Sequence, residues 1–75
     1  MTLLERLNKE LSIYELEFKT KKEYNDKFKG VISRKQTGIE IPFEVNKALQ
    51  YNAIKSHCKW VNDYVNLYIK LKQNG

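Results

Sequence analysis

The chain has 75 residues, of which 41% are hydrophobic and 12% aromatic, and its 14 basic and nine acidic side chains leave a formal net charge of +5. This apolar and aromatic content excludes a solvated disordered tail, so we expect the chain to fold. No stretch approaches the roughly 20 apolar residues of a membrane span, and Glu5 and Arg6 stand where a secretory signal has its apolar run. We expect a cytoplasmic protein that does not enter a membrane, located in the host cytoplasm if a phage encodes it.

The size of the chain predicts self-association. A domain this small buries a modest core and usually needs disulfide bridges, a structural metal or further copies of itself. Its single cysteine, Cys58, cannot form an internal bridge, and its single histidine, His57, does not complete the ligand set of a zinc site. We therefore expect no metal and no cofactor, and a homodimer or higher homo-oligomer.

The first predicted element is a helix over residues 2–29, a range without glycine or proline. Apolar side chains recur in it at alternating spacings of three and four, at Leu4, Leu7, Leu11, Tyr14 and Phe18. This spacing is typical of one face of a helix. Thr2 and Glu5 fit a capping box at its start, and Gly30 suits the left-handed residue that ends a helix.

The predicted connection covers residues 30–42. Two short β-prone runs, 31–33 and 39–41, flank a polar turn that ends in glycine. A small β-hairpin and a plain loop both fit this pattern. In either case Arg34 and Lys35 lie at the tip.

The second predicted helix covers residues 43–72 and follows Pro42, which suits a first helical turn. In its C-terminal half the apolar residues span about 200° of the helix, twice the arc expected of a surface helix that packs on one neighbour. Such a helix is normally buried on two sides, so we expect the first helix on one side and a second copy on the other. The predicted oligomer interface is Ile54, Trp60, Val61, Tyr64, Val65 and Tyr68.

Together these patterns predict a single domain over residues 1–75 of mainly all-α class. Two long antiparallel helices would be joined by a short loop or small β-hairpin. We expect such helical hairpins to assemble as a helical bundle homo-oligomer, most simply as a homodimer that forms a four-helix bundle.

The sequence shows no catalytic motif. His57 and Cys58 are adjacent, so on a helix their side chains diverge by about 100° and do not form a nucleophile and base pair. A glycine-rich phosphate loop, a zinc-protease motif, paired cysteines and a nucleophile elbow are all missing from the sequence. We expect a protein that is not an enzyme.

The positive charge is concentrated in residues 19–35. The predicted nucleic-acid or anion-binding residues are Lys19, Lys21, Lys22, Lys27, Lys29, Arg34 and Lys35. Clustered cations bind a nucleic-acid backbone by releasing its counterions. The chain has far more lysine than arginine, so such binding would depend on charge and shape more than on base reading. Our first hypothesis is a non-catalytic homo-oligomer whose basic end engages an acidic partner, nucleic acid before an acidic protein surface.

Two other functions fit the same sequence. One is an inhibitor or adaptor, of the kind that phages and mobile elements encode, that binds a host protein. Its predicted apolar binding surface is Ile13, Leu16, Tyr24 and Phe28. The other is an oligomer that sequesters an anionic nucleotide.

Overall fold

The computed structural model describes residues 1–74 as an α+β fold. Along the chain its elements are α1 (Leu3–Leu11), β1 (Leu16–Glu23), β2 (Lys27–Arg34), β3 (Glu40–Asn46) and α2 (Ile54–Asn74). The strands form an antiparallel sheet in the order β1-β2-β3. This sheet overturns the predicted all-α helical hairpin and the four-helix bundle built from it.

The first helix begins where the sequence predicts and ends much earlier. The predicted capping box is confirmed: the Thr2 amide donates to Glu5 Oε1 at 3.1 Å, and the Glu5 amide donates to Thr2 Oγ1 at 3.2 Å. The helix stops at Leu11 and is followed by one 3₁₀ turn, after which Glu15 adopts a left-handed conformation with φ of 62°. The predicted helix over residues 2–29 is therefore wrong from this point onward.

Strand β1 occupies the second half of that predicted helix. Leu16 and Phe18 are buried, while Lys19 is exposed, which is the period of two that a half-buried strand shows. Phe18 lies opposite Ile32 of β2 and faces the helices with it. The helical spacing from Tyr14 to Phe18 is coincidental, because these residues lie on different elements.

Helix α1 also forms hydrogen bonds with the free edge of β1. The side chain of Asn8 donates to the Phe18 carbonyl oxygen at 3.3 Å and accepts from the Phe18 amide at 2.7 Å. These two bonds occupy the backbone N–H and C=O of Phe18, which makes this part of the edge a poorer template for unwanted strand pairing.

Gly30 lies inside β2 and does not end a helix. A Cβ atom at this position would stand 1.9 Å from the Lys19 carbonyl oxygen of β1. The register of the two strands shifts between Thr20 and Lys22, next to Gly30. Glycine is needed here because the backbone of β1 approaches too closely for any side chain.

Strand β3 replaces the start of the second predicted helix. Pro42 pairs with Val31 at the edge of the sheet, where a residue without an N–H is tolerated. A hairpin does join β2 to β3, although its strands extend beyond residues 31–41 on both sides. Helix α2 begins only at Ile54, after a 3₁₀ turn at Tyr51–Ala53, so the predicted start at residue 43 is wrong.

One core lies between the inner face of the sheet and the two helices. Its buried apolar residues are Leu7, Leu11, Leu16, Phe18, Ile32, Ile41, Val45, Ile54, Cys58, Val61 and Val65. Four of them form one seam along α2, which we call the core seam: Ile54, Cys58, Val61 and Val65. The core seam accounts for half of the wide apolar arc that the sequence shows on this helix.

Candidate interaction surface

The other half of the apolar arc of α2 faces solvent. Four large side chains follow one another at spacings of four, three and four residues, and we call them the α2 stripe: Trp60, Tyr64, Leu67 and Leu71. Their exposed fractions are 54%, 38%, 54% and 63%. The α2 stripe lies about 120° round the helix from the core seam. A continuous row of large apolar side chains on a small protein is a typical interaction surface.

The N-terminal half of the α2 stripe is a stack of aromatic rings. The rings of Trp60 and Tyr64 lie 5.7 Å apart between centroids and are nearly parallel at 11°. His57 extends the stack on the other side of Trp60, at 5.8 Å and 26°. Each ring therefore contacts the next within the same chain, without any partner.

Strand β3 supports this stack from below. The Phe43 ring lies 6.2 Å from Trp60 and 6.3 Å from Tyr64, and its other side meets the edge of Phe18 at 6.4 Å. Burial among these rings lowers the pKa of His57 from its ordinary value of 6.5, because the protonated form loses hydration there. The stack thus connects the exposed surface to the core.

The predicted oligomer interface is divided between two sides of α2. Ile54, Val61 and Val65 belong to the core seam and are used within one chain. Trp60 and Tyr64 lie on the α2 stripe. Tyr68 is half-buried and packs against the core. The Lys72 ammonium lies 5.4 Å from the centroid of its ring.

Leu67 and Leu71 were not among the predicted interface residues. The available signal was their spacing of seven and eleven residues from Trp60, which continues one helical face. That signal alone does not decide which side of an apolar helix meets the core. The decision depends on where the sheet lies.

The predicted apolar binding surface on the first half of the chain does not come together. Leu16 is buried in the core, and Ile13 is exposed at the connection before β1. Tyr24 lies at the far end of β1, with the ammonium groups of Lys22 and Lys27 at 5.1 and 5.6 Å from its ring centroid. Phe28 is half-buried at that same end, under the ammonium of Lys47 at 4.9 Å.

Three of the seven predicted anion-binding residues contact carboxylate or amide side chains. Lys19 pairs with Glu40 at 3.9 Å, and Lys27 pairs with Glu44 at 3.2 Å. The Arg34 guanidinium points toward α2, where it donates to Asn62 Oδ1 and Asn66 Oδ1, each at 2.7 Å. These contacts reduce the positive charge that a polyanion would meet, because β3 carries carboxylates next to the basic strands.

The remaining four predicted anion-binding residues are divided between two ends of the sheet. Lys21, Lys22 and Lys29 lie near the turn between β1 and β2, where Lys22 stands directly opposite Lys29. Lys35 lies beyond the other end of β2, in the turn before β3. An eight-residue strand separates these ends by about 27 Å, so the sequence cluster becomes two smaller ones.

Cys58 is placed for packing. Its thiol is buried, lies 3.8 Å from the Leu7 carbonyl oxygen and has a pKa raised to about 12, mainly by burial and also by the nearby Glu10 carboxylate. A thiol with this pKa is a poor nucleophile at neutral pH. Across residues 1–74, no group of three His, Cys, Asp or Glu side chains could hold a metal ion.

A cleft of about 220 Å³ opens between α1 and the start of α2. Its lining includes three cations, Arg6, Lys9 and Lys55, together with Glu10 and Tyr51. The Arg6 guanidinium lies 5.5 Å above the Tyr51 ring. This cleft could hold a small anion, although the Glu10 carboxylate opposes such binding.

No helix in the part of the chain that the structure describes is long and apolar enough to cross a membrane. Comparisons with protein-family models, with curated proteins and with solved structures found no match to this chain.

Proposed function

We propose that this protein is a small, non-catalytic interaction module that binds protein through the α2 stripe. The observation that carries the proposal is the exposure of Trp60, Tyr64, Leu67 and Leu71 in one continuous row. Trp and Tyr are the residues most enriched at the energetic centres of protein interfaces. We also propose that the protein acts in the cytoplasm.

The ring contacts within the aromatic half of the α2 stripe support this proposal. A partner that covers Trp60 and Tyr64 need not order them first, because Phe43 and His57 already hold their rings. Prior ordering lowers the entropic cost of binding. The same rings on a mobile loop would lose part of their binding energy to that cost.

The apolar character of the α2 stripe favours a protein partner over nucleic acid. Leu67 and Leu71 continue the surface beyond the rings, and aliphatic side chains offer bases neither stacking nor hydrogen bonds. The basic residues that would attract phosphates are divided and partly paired with carboxylates. A contact formed by the α2 stripe should therefore resist added salt.

The proposal can be tested by site-specific crosslinking in the cells that naturally express the protein. A photoreactive amino acid at Leu67 should form adducts with protein. The matched control carries the same group at Lys29, which is exposed on the outer face of the sheet. A second variant, Trp60→Ala, should abolish the adducts at position 67 while circular dichroism shows an intact fold.

Adducts that form from position 67 and disappear with Trp60→Ala would support the proposal, whether the captured chain is another protein or a second copy. Absence of protein adducts at position 67, in a variant that folds normally, would contradict it. Crosslinking to nucleic acid from position 29, without protein adducts from position 67, would favour the second candidate.

The second candidate function is nucleic-acid binding at the turn between β1 and β2. It is favoured by the placement of Lys22 directly opposite Lys29, because like charges on facing strand positions repel unless an anion lies between them. Tyr24 stands at this turn, and a base that displaced the Lys22 or Lys27 ammonium from its ring could stack there.

This second candidate predicts binding of short mixed-sequence RNA or DNA that weakens steeply with salt. Fluorescence anisotropy should show that loss when Lys22→Glu and Lys29→Glu are combined. Lys55→Glu and Lys59→Glu provide a control of equal charge change on α2. Equal loss in both double variants would indicate only a general attraction to a basic protein.

A further inference from the structure

The spacing of the α2 stripe suits contact between two copies of the same helix. We infer that the partner is a second copy of this chain, with α2 of each protomer packed antiparallel on α2 of the other about a two-fold axis. The inference rests on the proposed function and names the partner of the same surface. It requires no helical hairpin, because each protomer keeps its own sheet and core.

The antiparallel alignment matches large rings with aliphatic side chains. When Tyr64 faces the partner's Leu67, Trp60 faces the partner's Leu71, and the symmetry of the pair repeats both contacts. Alternating spacings of four and three are those of the apolar seam between two packed helices. A two-fold axis makes the surface complementary to itself, as a homodimer requires.

Two charged residues fix the direction of the alignment. Asp63 and Lys70 are exposed, and each directly precedes a residue of the α2 stripe, on the flank away from the core. In the antiparallel alignment Asp63 lies beside the partner's Lys70, and Lys70 lies beside the partner's Asp63. The interface therefore contains two symmetry-related pairs of opposite charge.

Asp63 and Lys70 of the same chain cannot form an ion pair with each other. Seven residues along a helix separate them by about 10 Å, which is beyond ion-pair distance. In residues 1–74 neither of them takes part in an ion pair. A parallel alignment places Val61 or Tyr68 next to each of these positions and leaves both charges unpartnered. Charge complementarity thus favours the antiparallel dimer.

The exposed area also indicates what kind of dimer forms. Burying the free parts of the four side chains removes about 400 Å² of each protomer from water, about half of the 800 Å² that each partner buries in a standard interface. The contact is therefore expected to be reversible and concentration-dependent. Its assembly should be measured over a wide concentration range.

Charge reversal tests the alignment with residues that the fold does not need. Asp63→Lys and Lys70→Asp should each weaken the dimer by about tenfold, because each replaces two attractive contacts with two repulsive ones. The double variant Asp63→Lys/Lys70→Asp should restore the dimer to near its original affinity. Sedimentation equilibrium of the purified chain measures all three affinities.

Lys55→Asp is the matched control. It changes the charge as much as Lys70→Asp does, on the same helix, but it lies on the side opposite the α2 stripe, so the dimer affinity should stay within about twofold of the original. Circular dichroism and urea unfolding confirm that each variant is folded before its assembly is compared.

A dimer that is weakened by each single reversal and restored by the double reversal would support the inference. A dimer that the double reversal fails to restore would overturn the antiparallel alignment. A monomer at every concentration would overturn self-association altogether. A monomer would not by itself contradict the proposed function, because crosslinking from position 67 to a different protein would still support it.

Discussion

The two apolar sides of α2 have similar residue types and opposite environments. On the core seam, Cys58, Val61 and Val65 are no more than 1% exposed, whereas Trp60 and Leu67 of the α2 stripe are each 54% exposed. One side contributes to stability within the chain, and the other is available for contacts outside it. Apolar side chains on two sides of a helix therefore mark two possible interfaces, and only the position of the sheet distinguishes them.

The largest expected difference between the two sides comes from placing the same charge on each. Val65→Asp should cost about 4 kcal/mol or more, which is most of the stability of a domain this small, because the carboxylate would be buried without a partner. Leu67→Asp should cost no more than about 1 kcal/mol, since its side chain stays in water. Urea unfolding followed by circular dichroism measures both, and equal losses would show that we have assigned the sides incorrectly.

Thiol reactivity gives the next largest contrast. Native Cys58 should react with a disulfide reagent about a thousandfold more slowly than a cysteine at position 67, because its raised pKa leaves very little thiolate and its sulfur is buried. The comparison uses the unmodified chain and the variant Cys58→Ser/Leu67→Cys. Comparable rates at neutral pH would mean that the core seam opens readily.

The sheet buries the core seam and leaves the α2 stripe exposed, and a substitution in β2 can weaken it directly. Gly30→Ala should destabilise the protein by about 2 kcal/mol, because the new methyl group meets the Lys19 carbonyl oxygen and β1 must move away. Gly38→Ala is an instructive control, since φ at Gly38 is +70° but the surrounding space is open. It should cost about 1 kcal/mol, from backbone strain alone. The difference in unfolding free energy between the two variants measures the close approach of β1.

The smallest expected effect is a pH dependence of stability that arises from His57, which lies between the core seam and the α2 stripe. Burial lowers the pKa of His57 below 6.5 in the folded state, so the unfolded chain binds more protons at mildly acidic pH. Neutral His57 is compatible with the folded state, so its contribution to the free energy of unfolding is complete above its ordinary pKa. That contribution is lost as the pH falls toward the lowered pKa of His57 in the folded state. The urea midpoint should therefore drop between about pH 7.5 and about pH 5 more in the original protein than in His57→Gln. Equal drops in the two proteins would assign the pH dependence to other groups.

Some parts of the structure were predictable from local sequence. The start of α1 followed from the pairing of Thr2 with Glu5, because a capping box involves only neighbouring residues. A helix near the C-terminus was also expected, and its unusually wide apolar arc predicted contacts on two sides. The arc did not show which half would meet the core.

The candidate site was predictable only in part. Trp60 and Tyr64 were expected at an interface, whereas the inclusion of Val61 and Val65 assumed that a second helix covered the other side. In the structure the sheet takes the place of that helix and buries both valines within the chain. The basic cluster at residues 19–35 was continuous in sequence, but a strand divides it because extended backbone carries its two ends far apart.

Local sequence is enough to place the start of α1, to predict a helix near the C-terminus with an excess of apolar surface, and to put Leu7 and Leu11 on one apolar face. The strand at residues 16–23 depends instead on contacts between distant parts of the chain. Local preferences for helix and strand differ by tenths of a kcal/mol per residue, so pairing with a distant strand can override them. Here β1 pairs with β2 and packs Phe18 on α2 through Phe43, and no local pattern contains that information. The exposure of the α2 stripe follows from the same placement, since the sheet covers one side of the helix and leaves the other free.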